Sequence, residues 1–165
     1  MARKPTLLCV DDDAQCLNVR RVVFEAFGFE VTCTTDPRQG LRLHASRRFD
    51  AALLDYQMPY LNGAELAKSM KVARPDVPVV ILSGLPELPS GAPEYHDRFF
   101  CKTESGMKVA QAIQELIGQT RDKGDNLPVR KRLIAAAGVF WGFATQGVSD
   151  MRRRLFHGPA LSTAL

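Results

Sequence analysis

Four places in this chain set a chemistry-bearing polar residue directly after a short apolar run. Asp11-Asp12-Asp13 follows Thr6–Val10, and Asp55 follows Ala51-Ala52-Leu53-Leu54. Ser83 follows the run from Val77 to Leu82, and Lys102 follows Arg98–Cys101. Taken singly, an Asp or Ser at the end of a strand is usually a turn former. The four together are of complementary kinds, which favours a functional reading. Carboxylates at close range repel one another unless they share a hard divalent cation, and Mg²⁺ takes oxygen ligands and commonly bridges one or two carboxylates to a phosphate. A hydroxyl (Ser83) and a fixed ammonium (Lys102) suit the remaining oxygens of a transferring phosphoryl group. Asp55 would then be a carboxylate nucleophile that forms an aspartyl phosphate.

That chemistry requires the four positions to meet, and the apolar pattern says how they do. Runs at 6–10, 29–33, 51–54, 77–82 and 98–101 are too short for helices and read as buried strands. Between them lie helical patterns. Asp13 is placed to cap a helix carrying Leu17, Val19, Val22, Val23, Ala26 and Phe27 and closed by Gly28. Asp36-Pro37 opens a second helix, and Asn62 caps a third that carries Leu66, Ala67, Met70 and Val72 and stops before Pro75. Pro86, Pro89, Pro93 and Gly91 leave little room for a regular helix between 85 and 97. Val109, Ala112, Ile113, Leu116 and Ile117 give a last amphipathic helix, expected to stop at Gly118. Strands alternating with helices predict an α/β fold with a doubly wound, mostly parallel five-stranded sheet, whose strand C-termini share one edge.

The 165 residues fit one domain with an appendage, and 45% apolar and 24% charged residues describe an ordinary globular chain. The net charge of +4 resolves into −1 for residues 1–118 and +5 for 119–165, so nucleic-acid binding by the main domain loses its support. Cys9, Cys16, Cys33 and Cys101 show no metal-ligand spacing and read as free thiols, three of them buried in strands. His44, His96 and His157 are scattered and read as solvated or partly packed surface residues. No signal peptide is visible at the N-terminus. The expected organisation is a domain at 1–118, a polar linker at 119–128 and a basic and apolar attachment segment at 129–165, helical or partly disordered.

The motifs LLCVDDD, LLDYQMPYLNG, VVILSG and FFCK, in that order, resemble the receiver domain of two-component response regulators over residues 5–118. The resemblance implies a flavodoxin-like sheet of order 2-1-3-4-5 and phosphorylation of Asp55 by a histidine kinase or a histidine phosphotransfer protein. It implies Mg²⁺ held by Asp12, Asp55 and the backbone carbonyl of Gln57, with Asp11 supporting through water. It further implies Lys102 paired with the phosphoryl group, Ser83 as the switch hydroxyl, Phe99 as the aromatic switch residue and Gly63 as the loop glycine. The activity implied is Mg²⁺-dependent self-phosphorylation from phosphohistidine followed by slow autodephosphorylation, with no turnover of an external substrate. Three features depart from the family pattern: Thr103 stands where proline usually follows the lysine, Phe99 carries no hydroxyl, and residues 85–97 are short for the fourth helix. The expected function is a cytoplasmic stand-alone receiver acting as a phosphorylation-dependent switch. The alternatives, in order, are a pseudo-receiver working without phosphorylation and a haloacid-dehalogenase-like phosphatase using Asp11 and Asp13.

The tail is too short and too glycine-rich for a winged-helix or helix-turn-helix DNA-binding domain. Residues 133–149 are uncharged, include Phe140, Trp141 and Phe143, and lie between Arg130-Lys131-Arg132 and Arg152-Arg153-Arg154. An interfacial anchor at the inner face of the membrane fits this composition, as does a helix that packs on the receiver or on a second subunit of a homodimer.

Overall fold

The computed structural model describes residues 3–92 and 94–125. The elements run β1 (Thr6–Val10), α1 (Ala14–Ala26), β2 (Glu30–Thr34), α2 (Pro37–Ser46), β3 (Ala51–Asp55), α3 (Gly63–Ala73), β4 (Val79–Ser83), β5 (Arg98–Cys101) and α4 (Gly106–Asp125). All five strands are parallel, in the order β2-β1-β3-β4-β5. This is the doubly wound sheet expected from the alternating pattern. The three inner strands are apolar along nearly their whole length because helices cover both faces, while β2 and β5, at the edges, are half-exposed.

The faces sort by residue parity. Leu7, Cys9, Leu53, Val80, Leu82 and Phe100 point to one side, where Leu17 and Phe24 of α1 and Val109, Ile113 and Leu116 of α4 meet them. Leu8, Val10, Ala52, Leu54, Val79 and Ile81 point to the other, against Leu66, Ala67 and Met70 of α3. The second face has no helix between β4 and β5 among the described residues. There Leu88 and Ala92, from the proline-broken segment, pack onto the core in place of a helical stripe. In place of the expected short or irregular fourth helix stands an irregular cover with bends at 84–87 and a turn at 90–91.

Capping sets the helix starts. Asp13 accepts the Gln15 and Cys16 amides, Asp36 precedes Pro37 at the first helical position, and Asn62 forms a capping box with Glu65. The fourth strand starts two residues later than its apolar run, after Pro78, whose carbonyl accepts from Ala52 but which has no amide to donate.

Four expectations fail. The last helix does not stop at Gly118 but runs on to Asp125, so residues 119–125, expected as linker, are helical. A glycine inside an exposed helix costs about 1 kcal/mol relative to alanine. Here the turns around it are held by Leu116 and Ile117 in the core, by Thr120 donating to the Leu116 carbonyl, and by Arg121 3.2 Å from Asp50. Val19, Val22 and Val72, counted into apolar helix faces, are 64%, 68% and 71% exposed. His44 is not a surface residue: it is fully buried between α2 and its neighbours. Among the strand cysteines only Cys9 is buried, Cys33 and Cys101 being half-buried on the edge strands. Residues 126–165, with the expected anchor at 133–149 and His157, lie outside the described residues. No described helix is long and apolar enough to cross a membrane.

Candidate functional site

The C-terminal ends of β1, β3, β4 and β5 bring Asp11, Asp55, Ser83 and Lys102 to one edge of the sheet. Strand register makes this exact alignment: Val10 pairs with Leu54, Asp55 with Leu82, and Ser83 with Cys101. Asp11, Asp55 and Ser83 are buried, at 1%, 1% and 0% exposure. A buried carboxylate persists only where something answers its charge.

Each carboxylate uses one oxygen for structure and presents the other to the site. Asp11 Oδ1 accepts the Asp13 amide at 2.8 Å, and Asp55 Oδ2 accepts the Gln57 amide at 3.1 Å. The free oxygens, Asp11 Oδ2 and Asp55 Oδ1, have no hydrogen-bond partner of good geometry and are matched by charge instead. Lys102 Nζ lies 2.5 Å from Asp55 Oδ1 and 3.7 Å from Asp11 Oδ2. Burial pushes the Asp55 carboxyl above the usual carboxylate range and Asp11 adds to this, with Lys102 pulling back only in part. Against burial, which acts the other way, Asp55 and Asp11 hold the Lys102 ammonium above its ordinary value.

Lys102 reaches this position from a tight turn. Its amide donates to the Ser83 carbonyl at 2.7 Å, and the Glu104 amide donates back to the Cys101 carbonyl. No cis peptide occurs among the described residues, so with Thr103 next in sequence a trans turn still delivers the ammonium to Asp55. Ser83 Oγ accepts the Leu85 amide at 3.0 Å, which orients its hydroxyl at the mouth of β4. Phe99 is half-buried on the α3 side of the sheet.

Asp12 is exposed, yet one of its carboxylate oxygens falls within 4.8 Å of oxygens of Asp11 and Asp55. An all-oxygen set with two unsatisfied buried oxygens is the donor chemistry Mg²⁺ takes, so these residues fit that ion. Asp13 does not join the cluster, since its carboxylate caps α1.

One charged residue of the site was not singled out from the sequence. Arg20 of α1 has an 11% exposed side chain, pairs through Nη1 with Asp11 Oδ2, and places Nη2 4.0 Å from Asp55 Oδ1. Its signal lay in the spacing: Leu17, Arg20 and Phe24 form the inward stripe of α1, with a cation where the period asks for an apolar residue.

A family model described as the response regulator receiver domain matches residues 7–92. The transcriptional regulatory protein QseB of Haemophilus influenzae is 32% identical over 114 residues, covering 67% of this chain and 52% of that protein. The response regulator SaeR of Staphylococcus aureus is 30% identical over 117 residues, covering 67% of this chain and 51% of its own length. This chain therefore spans about half the length of the curated relatives it matches. The receiver domain of the Francisella response regulator 1452 superposes with a TM-score of 0.64 at 28% identity, covering 70% of this chain and 98% of that one. The receiver domain of a Pseudomonas aeruginosa sensor histidine kinase, solved with a magnesium ion coordinated in its active site cleft, shares the fold with a TM-score of 0.61 at 22% identity, covering 70% and 99%. These matches set aside the phosphatase alternative. With its motifs, its strand order and more than half of its length matched, the chain belongs to the response regulator receiver family of two-component signalling.

Proposed function

We propose that Asp55 accepts a phosphoryl group from a phosphohistidine of a histidine kinase or histidine phosphotransfer protein, and that the chain acts as a switch read through the phosphorylated state. The observation that carries this reading is the Lys102 ammonium 2.5 Å from Asp55 Oδ1, at an edge shared with buried Asp11 and Ser83. A carboxylate oxygen of Asp55 attacks phosphorus; the N–P bond breaks, its electron pair remains on the imidazole nitrogen, and an O–P bond forms. Lys102 is placed to follow the incoming phosphoryl oxygens, and the Ser83 hydroxyl to donate to one of them. Asp12, Asp55 and the carbonyl of Gln57 would hold Mg²⁺, with Asp11 supporting through water, and the ion would supply positive charge to the transferring group. Slow hydrolysis of the aspartyl phosphate resets the site.

The phosphoryl group adds negative charge beside Ser83 and Lys102 and biases the loops after β4 and β5, with Phe99 as the packing element that responds. In this chain the β4–β5 segment is an irregular, proline-broken cover, so the surface read by a partner, including a second copy of the chain, differs there from a helical one. Residues 129–165 supply the attachment, by lipid contact or protein docking, through the uncharged 133–149 run and its flanking arginines.

The test is intact mass after incubation with a small phosphodonor, with and without Mg²⁺, for the wild type and Asp55→Asn. The expected outcome is a gain of a single phosphoryl group that needs Mg²⁺, is stable in acid and labile in base, and is lost in the variant while its circular dichroism is unchanged. A wild type that binds Mg²⁺ and gains nothing would turn the reading to a pseudo-receiver. Asp12→Ala should weaken Mg²⁺ binding, and full phosphorylation without Mg²⁺ would remove the metal assignment.

A further inference from the structure

Arg20 is a cation buried among the carboxylates that would take the metal. Its guanidinium lies on the same two oxygens as Lys102: Nη1 pairs with Asp11 Oδ2, and Nη2 stands 4.0 Å from Asp55 Oδ1, while Lys102 Nζ is 2.5 Å from Asp55 Oδ1 and 3.7 Å from Asp11 Oδ2. Two carboxylate oxygens are thus shared between two cations, and Asp12 remains as the exposed charge of the cluster. The position of Arg20 is built in. It sits between Leu17 and Phe24, the buried residues of α1, on a helix whose start is fixed by the Asp13 cap two turns earlier. An arginine buried to this degree is retained only where carboxylates answer it, and its planar fork suits a pair of them. Lys102, 35% exposed on a turn, has freedom to follow an incoming group; Arg20, 11% exposed on a packed helix, has little.

We propose that Arg20 is a positioning residue: a built-in counter-charge that holds the Asp11 and Asp55 carboxylates together and competes with a divalent cation for Asp11 Oδ2 and Asp55 Oδ1. This rests on the receiver reading, in which those oxygens face the metal. The consequence is a site that stays ordered when divalent cation is scarce and takes Mg²⁺ only at higher concentration, so that phosphoryl acceptance is tied to the free Mg²⁺ level. A single positive charge a few ångströms from a divalent ion opposes it strongly even with partial screening, so removing the charge should tighten Mg²⁺ binding about tenfold or more.

The experiment is a Mg²⁺ titration of the full chain by calorimetry, with melting temperatures in EDTA and in saturating Mg²⁺, for wild type, Arg20→Leu and Arg20→Lys. Arg20→Leu should bind Mg²⁺ about tenfold or more tightly. It should also melt below the wild type in EDTA and regain most of that loss in Mg²⁺, a recovery that a purely packing role for Arg20 would not produce. Arg20→Lys, which keeps the charge, should stay near the wild-type affinity. Arg20→Leu with unchanged or weaker Mg²⁺ affinity overturns the proposal. Should that variant not fold in EDTA, Arg20→Gln is titrated in its place against the same two outcomes. Phosphorylation is scored separately. A wild type that gains a phosphoryl group while the Arg20 variants bind Mg²⁺ no differently sinks this inference and leaves the receiver reading standing. A wild type that gains none while the variants bind more tightly does the reverse. Wild type and variants that all fail to bind Mg²⁺ overturn both.

Discussion

Gly63 shows how closely the nucleophile is held at the level of one residue. It opens α3 with its amide donating to the Tyr56 carbonyl at 2.9 Å, and a Cβ added there would fall on the carbonyl oxygen of Asp55, with Tyr56 Cα only 3.0 Å away. Both neighbours are backbone, so neither can rotate aside. Gly63→Ala is expected to push the start of α3 off the end of β3, destabilising the fold by about 1–3 kcal/mol. Because the displaced group carries Asp55, phosphorylation should slow as well. Urea denaturation and phosphodonor kinetics on the same preparation check the two effects. A variant of wild-type stability and rate would show that the strand end is not confined by this contact.

At the scale of elements, the α2–α3 contact buries a titratable group with no counterpart in the site. His44 is fully buried, and neither ring nitrogen finds a hydrogen-bond partner among the described residues. Burial first, and then the Arg74 charge, lower its pKa from 6.5 to about 4, with the nearby Met70 backbone and then Asp76 acting in the other direction. The folded state therefore holds His44 neutral where the unfolded chain would protonate it. The stability this provides is complete above about pH 6.5 and is lost as pH falls toward 4, amounting to about 3 kcal/mol over the whole window. Unfolding free energies from pH 7 to pH 5 should fall in the wild type and fall less in His44→Leu. Equal slopes would place the acid sensitivity elsewhere. Arg121, on the turn after Gly118, is anchored to Asp50 across the fold, which explains why α4 outlasts its glycine.

For the whole molecule, the compact unit that holds the sheet and the site runs through Asp125. A chain ended after Asp125 is expected to melt cooperatively and to keep the Mg²⁺-dependent phosphoryl gain, since every residue of the site lies within that unit. The excess positive charge belongs to residues 119–165. Sedimentation with anionic phospholipid vesicles should retain the full chain and lose the shortened one, and the retention should weaken with salt. Equal sedimentation of the two would remove lipid contact and leave docking to protein as the role of the tail.

The sheet and the strand-end residues Asp11, Asp55, Ser83 and Lys102 can be read from the sequence, because in a parallel fold covered on both faces an apolar run and its polar terminus are local signals. The caps at Asp13, Asp36 and Asn62 were legible for the same reason, each being a contact with an amide two or three residues away. Features that depend on partners distant in the chain emerge only in the folded molecule. Val19 and Val22 face solvent while Arg20 turns inward, because the charge that answers it arrives on strands β1 and β3. His44 is buried because α3 closes over α2, and α4 continues past Gly118 because Asp50, about seventy residues earlier, meets Arg121. Local pattern reports what a residue prefers beside its neighbours; only the assembled sheet settles which side chain finds a partner across it.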